Sequence, residues 1–174
     1  MKRLLLPALA LLIATGADAQ VLKNHDSNAP VNFTADRIEV QDRSDRVVVT
    51  GNVEVTQAGM TLNAARMTVA YRQGGGGGSG VEIDRIDASG NVTVVKGNET
   101  ARGNVAIYDL NSRLITMLGN VTLNQGSNRL AGGRLVIDLR SGRSTVDGRS
   151  TGGVPGAVGS AGGRVSGTFT VPQR

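Results

Sequence analysis

Residues 90–110 read GNVTVVKGNETARGNVAIYDL, and residues 119–139 read GNVTLNQGSNRLAGGRLVIDL. These two stretches align without a gap at a spacing of 29 residues, and residues 51–71 (GNVEVTQAGMTLNAARMTVAY) fall into the same register. The step from the 51–71 copy to the next is ten residues longer, because it contains a glycine-rich insertion at 73–80. A fixed period of this length is typical of stacked supersecondary units, none of which can bury its apolar face alone.

The pattern inside each unit predicts strands rather than helices. From Val47 to Val55 every second residue is apolar or glycine, and polar side chains such as Thr50 and Glu54 lie between them. Period two with many β-branched residues indicates strands that bury one face. The glycine inside each of these strands predicts a bend or a bulge. Four units of about 29 residues therefore predict an all-β protein with roughly eight to sixteen strands.

The residues on the buried face of these strands would form one continuous apolar lining. If two sheets close on each other, the lining is a core, and if they splay, it is an apolar trough; the sequence leaves both interpretations open. Aliphatic side chains of medium size suit flexible acyl chains, so a trough would be a lipid-binding site. The predicted lining residues are Phe33, Ile38, Val40, Val47, Val49, Val53, Val55, Met67, Val69, Ile86, Val92, Val94, Tyr108, Ile115, Met117, Val121, Leu123, Leu135 and Ile137.

Composition argues against most other function classes. Aromatic residues make up only 2% of the 174 residues, so no base-stacking surface and no nucleic-acid partner are expected. There is no cysteine and a single histidine, His25, which is expected in a mobile polar terminus, so no metal site is predicted. The glycine run lacks the Gly-Lys-Ser/Thr ending of a phosphate-binding loop, and the acids are scattered rather than paired. We therefore expect neither an enzyme nor a cofactor.

The N-terminus has the layout of a secretory signal peptide. Lys2 and Arg3 precede an apolar run, and Ala17-Asp18-Ala19 forms a small-x-small cleavage site. Export of a modestly basic, cysteine-free chain favours a periplasmic location, and a retained N-terminal anchor is the alternative. The predicted segments are a signal peptide at 1–19, a flexible lead-in at 20–30, the β-domain at 31–147 with its glycine-rich loop at 73–80, and a degraded repeat or Gly/Ser-rich tail at 148–174.

The order of motifs behind this export signal resembles the OstA-like family of periplasmic lipopolysaccharide transport proteins. PVNFTADRIEV at 30–40 is followed by VTGNVEVTQ at 49–57, by YDL at 108–110 and by LGNV at 118–121. The similarity covers about residues 27–147. It implies an antiparallel β-jelly roll, open at both ends, whose apolar interior takes the acyl chains of lipopolysaccharide.

The same resemblance implies a set of partners. These are lipopolysaccharide, further copies of the chain assembled head to tail, an inner-membrane bridge component with an ATP-driven transporter, and an outer-membrane translocon. Identical protomers offer a lipid identical sites, so net transport requires an external source of energy. The alternatives are a structural β-repeat protein with a closed core and no lipid ligand, a carbohydrate-processing β-solenoid enzyme, and the membrane-anchored bridge component itself.

Overall fold

The described part of the chain forms one antiparallel sheet with a single short helical turn. The computed structural model describes residues 25–73, 80–148 and 163–170; the predicted signal peptide, most of the glycine-rich loop and most of the tail lie outside them. Within these ranges no helix has the length and apolarity to cross a membrane. The strands are β1 (Asn32–Thr34), β2 (Arg37–Gln41), β3 (Arg46–Gln57), β4 (Met60–Gln73), β5 (Val81–Lys96), β6 (Glu99–Asp109), β7 (Leu114–Gln125), β8 (Asn128–Asp138), β9 (Arg143–Asp147) and β10 (Ser166–Thr168), with a 3₁₀ turn at Asp42–Ser44.

Neighbouring strands pair in chain order, and the sheet is not closed. The order is β1-β3-β4-β5-β6-β7-β8-β10, with β2 also on β3 and β9 also on β8. β1 and β2 pair with successive halves of β3, and β10 and β9 with successive halves of β8, so each short pair acts as one interrupted strand. In the described residues the sheet therefore has eight strand positions, which we term rungs, and each consists of two halves; this number is within the predicted range of strands.

Every long strand crosses a line of bulges, which the Gly-Asn pairs at 51–52, 90–91 and 119–120 create. Gly51, Gly90 and Gly119 have φ angles of 79, 85 and 76°, and the asparagine after each is also left-handed, at 45, 51 and 49°. At each of these pairs two residues face one on the neighbouring strand. Glycine adopts positive φ without strain, and asparagine tolerates it better than most residues. The predicted bulges are confirmed, and because they align across the sheet, they fold it over.

The line of bulges divides the sheet into two layers. In one layer, which we term the turn layer, two-residue turns connect the long strands; this layer includes β1 and β10. In the other layer, which we term the loop layer, the connections are longer; this layer includes β2 and β9. In the long strands the turn layer comprises 53–57, 60–64, 92–96, 99–103, 121–125 and 128–132, and the loop layer comprises 46–50, 66–73, 81–89, 105–109, 114–118 and 134–138.

Three apolar rows run across the rungs on the facing surfaces of the two layers. Apart from Ile38 and Val40 on the end strand β2, their members belong to, or pack against, one hydrophobic cluster, so the layers pack face to face. The row in the turn layer is Phe33, Val55, Leu62, Val94, Ala101, Leu123 and Leu130. The first row in the loop layer is Ile38, Val49, Met67, Ala88, Ala106, Met117, Leu135 and Val146. The second row in the loop layer is Val40, Val47, Val69, Ile86, Tyr108, Ile115 and Ile137.

Candidate functional site

The candidate site is the interior between the two layers, and the structure brings most of the predicted lining together there. Phe33 and Val47 are partly buried against this interior. The fifteen predicted lining residues that are buried in one cluster are Val49, Val53, Val55, Met67, Val69, Ile86, Val92, Val94, Tyr108, Ile115, Met117, Val121, Leu123, Leu135 and Ile137.

Two predicted lining residues, Ile38 and Val40, differ from the expected burial. They lie opposite Val49 and Val47 in the register and so share the inward face, yet they are 49% and 59% exposed. The reason is their position on β2, the last half-strand of its layer, which has a neighbour on one side only. At the other end of the stack Phe169 is similarly exposed, at 60%. Both ends of the stack therefore present apolar side chains.

The interior is packed by its own side chains. Met67, Ile115 and Met117 have no exposed surface, and their neighbours in the rows are nearly as buried. Of the two interpretations that the sequence leaves open, this conformation shows the closed core. An acyl chain would enter only if the two layers separated.

Sequence reasoning missed the residues where the lining reaches the tight turn between β3 and β4. Gln57, Met60 and Ala64 are buried there. They continue the alternation of Val53 and Val55 through the turn into β4, so extending the same period by a few residues would have found them. The polar character of Gln57 hid its inward position.

The edge opposite the bulges, which we term the mouth, is where the turns of one layer face the loops of the other. There the Gln57 side chain joins both layers to residues 25–31. Its Oε1 accepts hydrogen bonds from His25 Nε2 and the Tyr108 hydroxyl, both at 3.1 Å. Its Nε2 donates to the carbonyls of Ser27 and Ala29 at 3.1 and 2.9 Å. The amide thus uses all four of its hydrogen-bonding positions.

His25 is buried at this mouth, contrary to the expectation that it belongs to a mobile terminus. Burial lowers the pKa of His25, and nearby Lys96 acts in the same direction, whereas the Gln57 hydrogen bond and Asp26 oppose the shift. His25 Nδ1 is buried without a partner, so adding a proton there would create a buried, unpaired charge. Burial also raises the pKa of the Tyr108 hydroxyl. Both rings are therefore neutral near pH 7.

The scattered acids serve bends and loops. Asp36 accepts a hydrogen bond from the Asn52 side chain at the first bulge. A hydrogen bond from the Ser112 amide lowers the pKa of Asp109. Asp138 accepts hydrogen bonds from the Ser141 hydroxyl and from the amides of Arg140 and Ser141, and these bonds lower its pKa. Across the described part of the chain no three His, Asp or Glu side chains cluster as a metal site would require.

Comparisons with known proteins place this fold in a family. Residues 32–143 match the family described as LptA/(LptD N-terminal domain) LPS transport protein. The chain is 34% identical over 118 residues to an uncharacterised protein of Rhizobium meliloti (strain 1021), a match that spans 63% of each chain.

The solved structures give the fold independently. LptH, the LptA homologous periplasmic component of the lipopolysaccharide transport device of Pseudomonas aeruginosa, superposes with a TM-score of 0.71 at 19% identity, over 84% of this chain and 99% of that one. The predicted open, antiparallel, all-β jelly roll and the OstA-like resemblance are confirmed. The chain belongs to the LptA/(LptD N-terminal domain) family of LPS transport proteins.

Proposed function

We propose that this chain is a periplasmic carrier of lipopolysaccharide that holds acyl chains between its two layers. Its family supports the transport class, and the fold that it shares with a periplasmic component of a transport device supports the compartment. The observation that carries the proposal is the set of three apolar rows that continue from rung to rung through the stack.

Hydrophobic burial favours an acyl chain in this interior. Each methylene removed from water contributes about 0.8 kcal/mol, so a chain of about a dozen carbons gains roughly 10 kcal/mol. The lining stays out of water when a lipid replaces the facing layer, although packing contacts between the layers are lost. Met67 and Met117 lie in the middle of one row, and their flexible thioethers adapt to irregular partners.

The two ends of the stack support head-to-tail assembly. Within the described residues the outer sides of β1 and β2, and of β9 and β10, pair with no strand. Because there are eight rungs, the first and the last run in opposite directions, and joining them between protomers continues the antiparallel ladder. Ile38 and Val40 at one end and Phe169 at the other would be covered by that contact. The interiors of the joined protomers would then form one continuous apolar path.

The proposed partners follow from this path. One end would meet an inner-membrane bridge component and its ATP-driven transporter, and the other would meet an outer-membrane translocon. Movement between identical interiors is close to neutral in free energy, so the transporter would drive the direction.

The packed interior favours one other function, that of a structural β-repeat protein without a lipid ligand. Side chains such as Ile115 and Met117 already fill the space between the layers. In that case the exposed ends would serve assembly alone.

Titration of the purified chain with lipopolysaccharide and with its deacylated form separates these functions. A carrier binds the acylated form and not the deacylated form, because the acyl chains supply the binding energy. Equal binding of the two forms would assign the site to the headgroup and contradict the proposed interior. Absence of binding by either form would favour the structural protein.

A further inference from the structure

Residues 25–31, which we term the strap, cross the mouth between the layers. The Asn28 side chain lies 3.4 Å from a guanidinium nitrogen of Arg113, in the loop between β6 and β7. The strap then runs into β1, which pairs with the turn-layer half of β3. It therefore spans from the loop layer to the turn layer on the side that the bulges leave open.

Among the described residues, the Gln57 side chain makes more hydrogen bonds to the strap than any other side chain. Gln57 forms hydrogen bonds with His25 and with the carbonyls of Ser27 and Ala29. It also accepts a hydrogen bond from the hydroxyl of Tyr108 in the loop layer. Separation of the layers would carry Tyr108 away from Gln57 and disturb the amide on which the strap depends. The strap and the closed interior are consequently coupled through the same residue.

The strap is docked less completely than the core. His25 Nδ1 is buried without a hydrogen-bond partner, which weakens docking because this nitrogen has lost water without replacement. A cavity of about 380 Å³ lies beside the strap and is also lined by Arg72, Ile83 and Leu110 of the loop layer. The mouth therefore contains both the strap and free volume, whereas the interior behind it is packed.

We propose that the strap is a displaceable plug, which closes the mouth in the free protein and is expelled when acyl chains enter between the layers. This inference rests on the proposed lipid carrier. When a ligand must displace a bound segment, its apparent affinity equals its intrinsic affinity multiplied by the fraction of molecules in which the segment is undocked. Weakening the strap would accordingly strengthen lipid binding, the opposite of what loss of a lining residue would do.

A single cysteine can report on the strap, because the full chain contains none. Ser27→Cys places a thiol of similar size where the hydroxyl is buried, and Ser144→Cys on β9 offers a second buried site at the far end of the sheet. Thiol labelling is followed in the full chain, with and without lipopolysaccharide. Gln57→Ala releases the strap, and Gln125→Ala is its matched control, since Gln125 begins the last tight turn but bonds to Glu99.

We expect saturating lipopolysaccharide to accelerate labelling of S27C by about tenfold or more, as an open strap exposes the thiol. Without lipid, Q57A should accelerate the labelling of S27C and leave the labelling rate of S144C unchanged. The same substitution should tighten lipopolysaccharide binding by about tenfold. Q125A should change neither. Binding of lipid with an unchanged S27C rate would overturn the plug while leaving the carrier intact. Absence of binding in both the parent and Q57A would overturn the two proposals together.

Discussion

At the scale of single residues, the fold depends on a backbone conformation that few side chains tolerate. The Gly-Asn pairs at 51–52, 90–91 and 119–120 each place two successive residues at positive φ, which makes the bulge that turns one layer into the other. The glycine is required for space as well as for φ, since a Cβ on Gly90 would lie 2.6 Å from the Ala65 Cβ. Gly97, in a tight turn, has a similar φ of 58° but no atom within 4 Å of such a Cβ.

This contrast predicts the outcome of two alanine substitutions. Gly97→Ala adds only the cost of a left-handed alanine, about 1 kcal/mol, whereas Gly90→Ala adds the clash with Ala65 and should lower the free energy of unfolding by about 2 kcal/mol or more. Urea denaturation of both variants measures the difference. Equal losses would show that the bulge accommodates a side chain and that glycine is there for φ alone.

The single histidine makes a second prediction at this scale. Docked His25 has a pKa below its ordinary value, about 6.5, so docking favours the neutral ring. The stability that docking contributes is therefore complete above pH 6.5 and declines as the pH falls from there through the lowered pKa. The groups that act on the ring are Gln57, Lys96 and Asp26, and Tyr108 bonds to the same amide oxygen of Gln57.

An NMR titration of a tag-free chain gives this pKa without ambiguity. We expect a value below 6.5 in the parent and a return towards 6.5 in Gln57→Ala, where the ring reaches water. A parent value at or above 6.5 would mean that His25 is solvated and that the strap does not dock.

At the scale of elements, the rungs are alike in pattern but differ in their surroundings. Inner rungs have neighbours on both sides, whereas β2 has only β3, so the same inward parity that buries Val49 leaves Val40 exposed. Between Ile38 and Val40, Glu39 points to the opposite face of the strand. The end rung thus carries an apolar inward face that a second protomer could cover.

Charges on that face should prevent assembly without unfolding the protomer. Ile38→Asp with Val40→Asp places two carboxylates where the next protomer would bury apolar surface, which favours the monomer. Light scattering across a concentration series should show oligomers for the parent and for the outward control Glu39→Gln, and monomers for the double variant. A parent that remains monomeric at high concentration would contradict head-to-tail assembly.

The sequence predicted the strands, their inward faces and their bends, because each depends on local spacing. Period two fixed the inward position of residues such as Val53 and Ile86, and the glycines at 51, 90 and 119 marked the bulges. The exposure of Ile38 and Val40 could not be derived, since it depends on how many neighbours a strand has. The burial of His25 depends on a contact 32 residues away with Gln57, which no local pattern encodes.

At the scale of the whole molecule, the distance between the two layers decides the function. The same inward side chains make a core when the layers touch and would make the proposed lipid site if the layers parted, and the alternation in the sequence is identical in both cases. In this conformation the layers touch, Gln57 joins them at the mouth, and the strap lies across the opening. The carrier therefore requires an opening that the structural protein does not.

The most direct test of the central claim is photocrosslinking of lipopolysaccharide to residues of opposite parity. A photoreactive side chain at Val40, Ile86 or Leu123 faces the interior, and one at Glu39 or Thr122 faces outward; Val40 is exposed, so its replacement leaves packing intact. The carrier predicts lipid adducts at the three inward positions and none at the two outward ones. Adducts at both sets alike, or at neither, would contradict an interior that holds acyl chains.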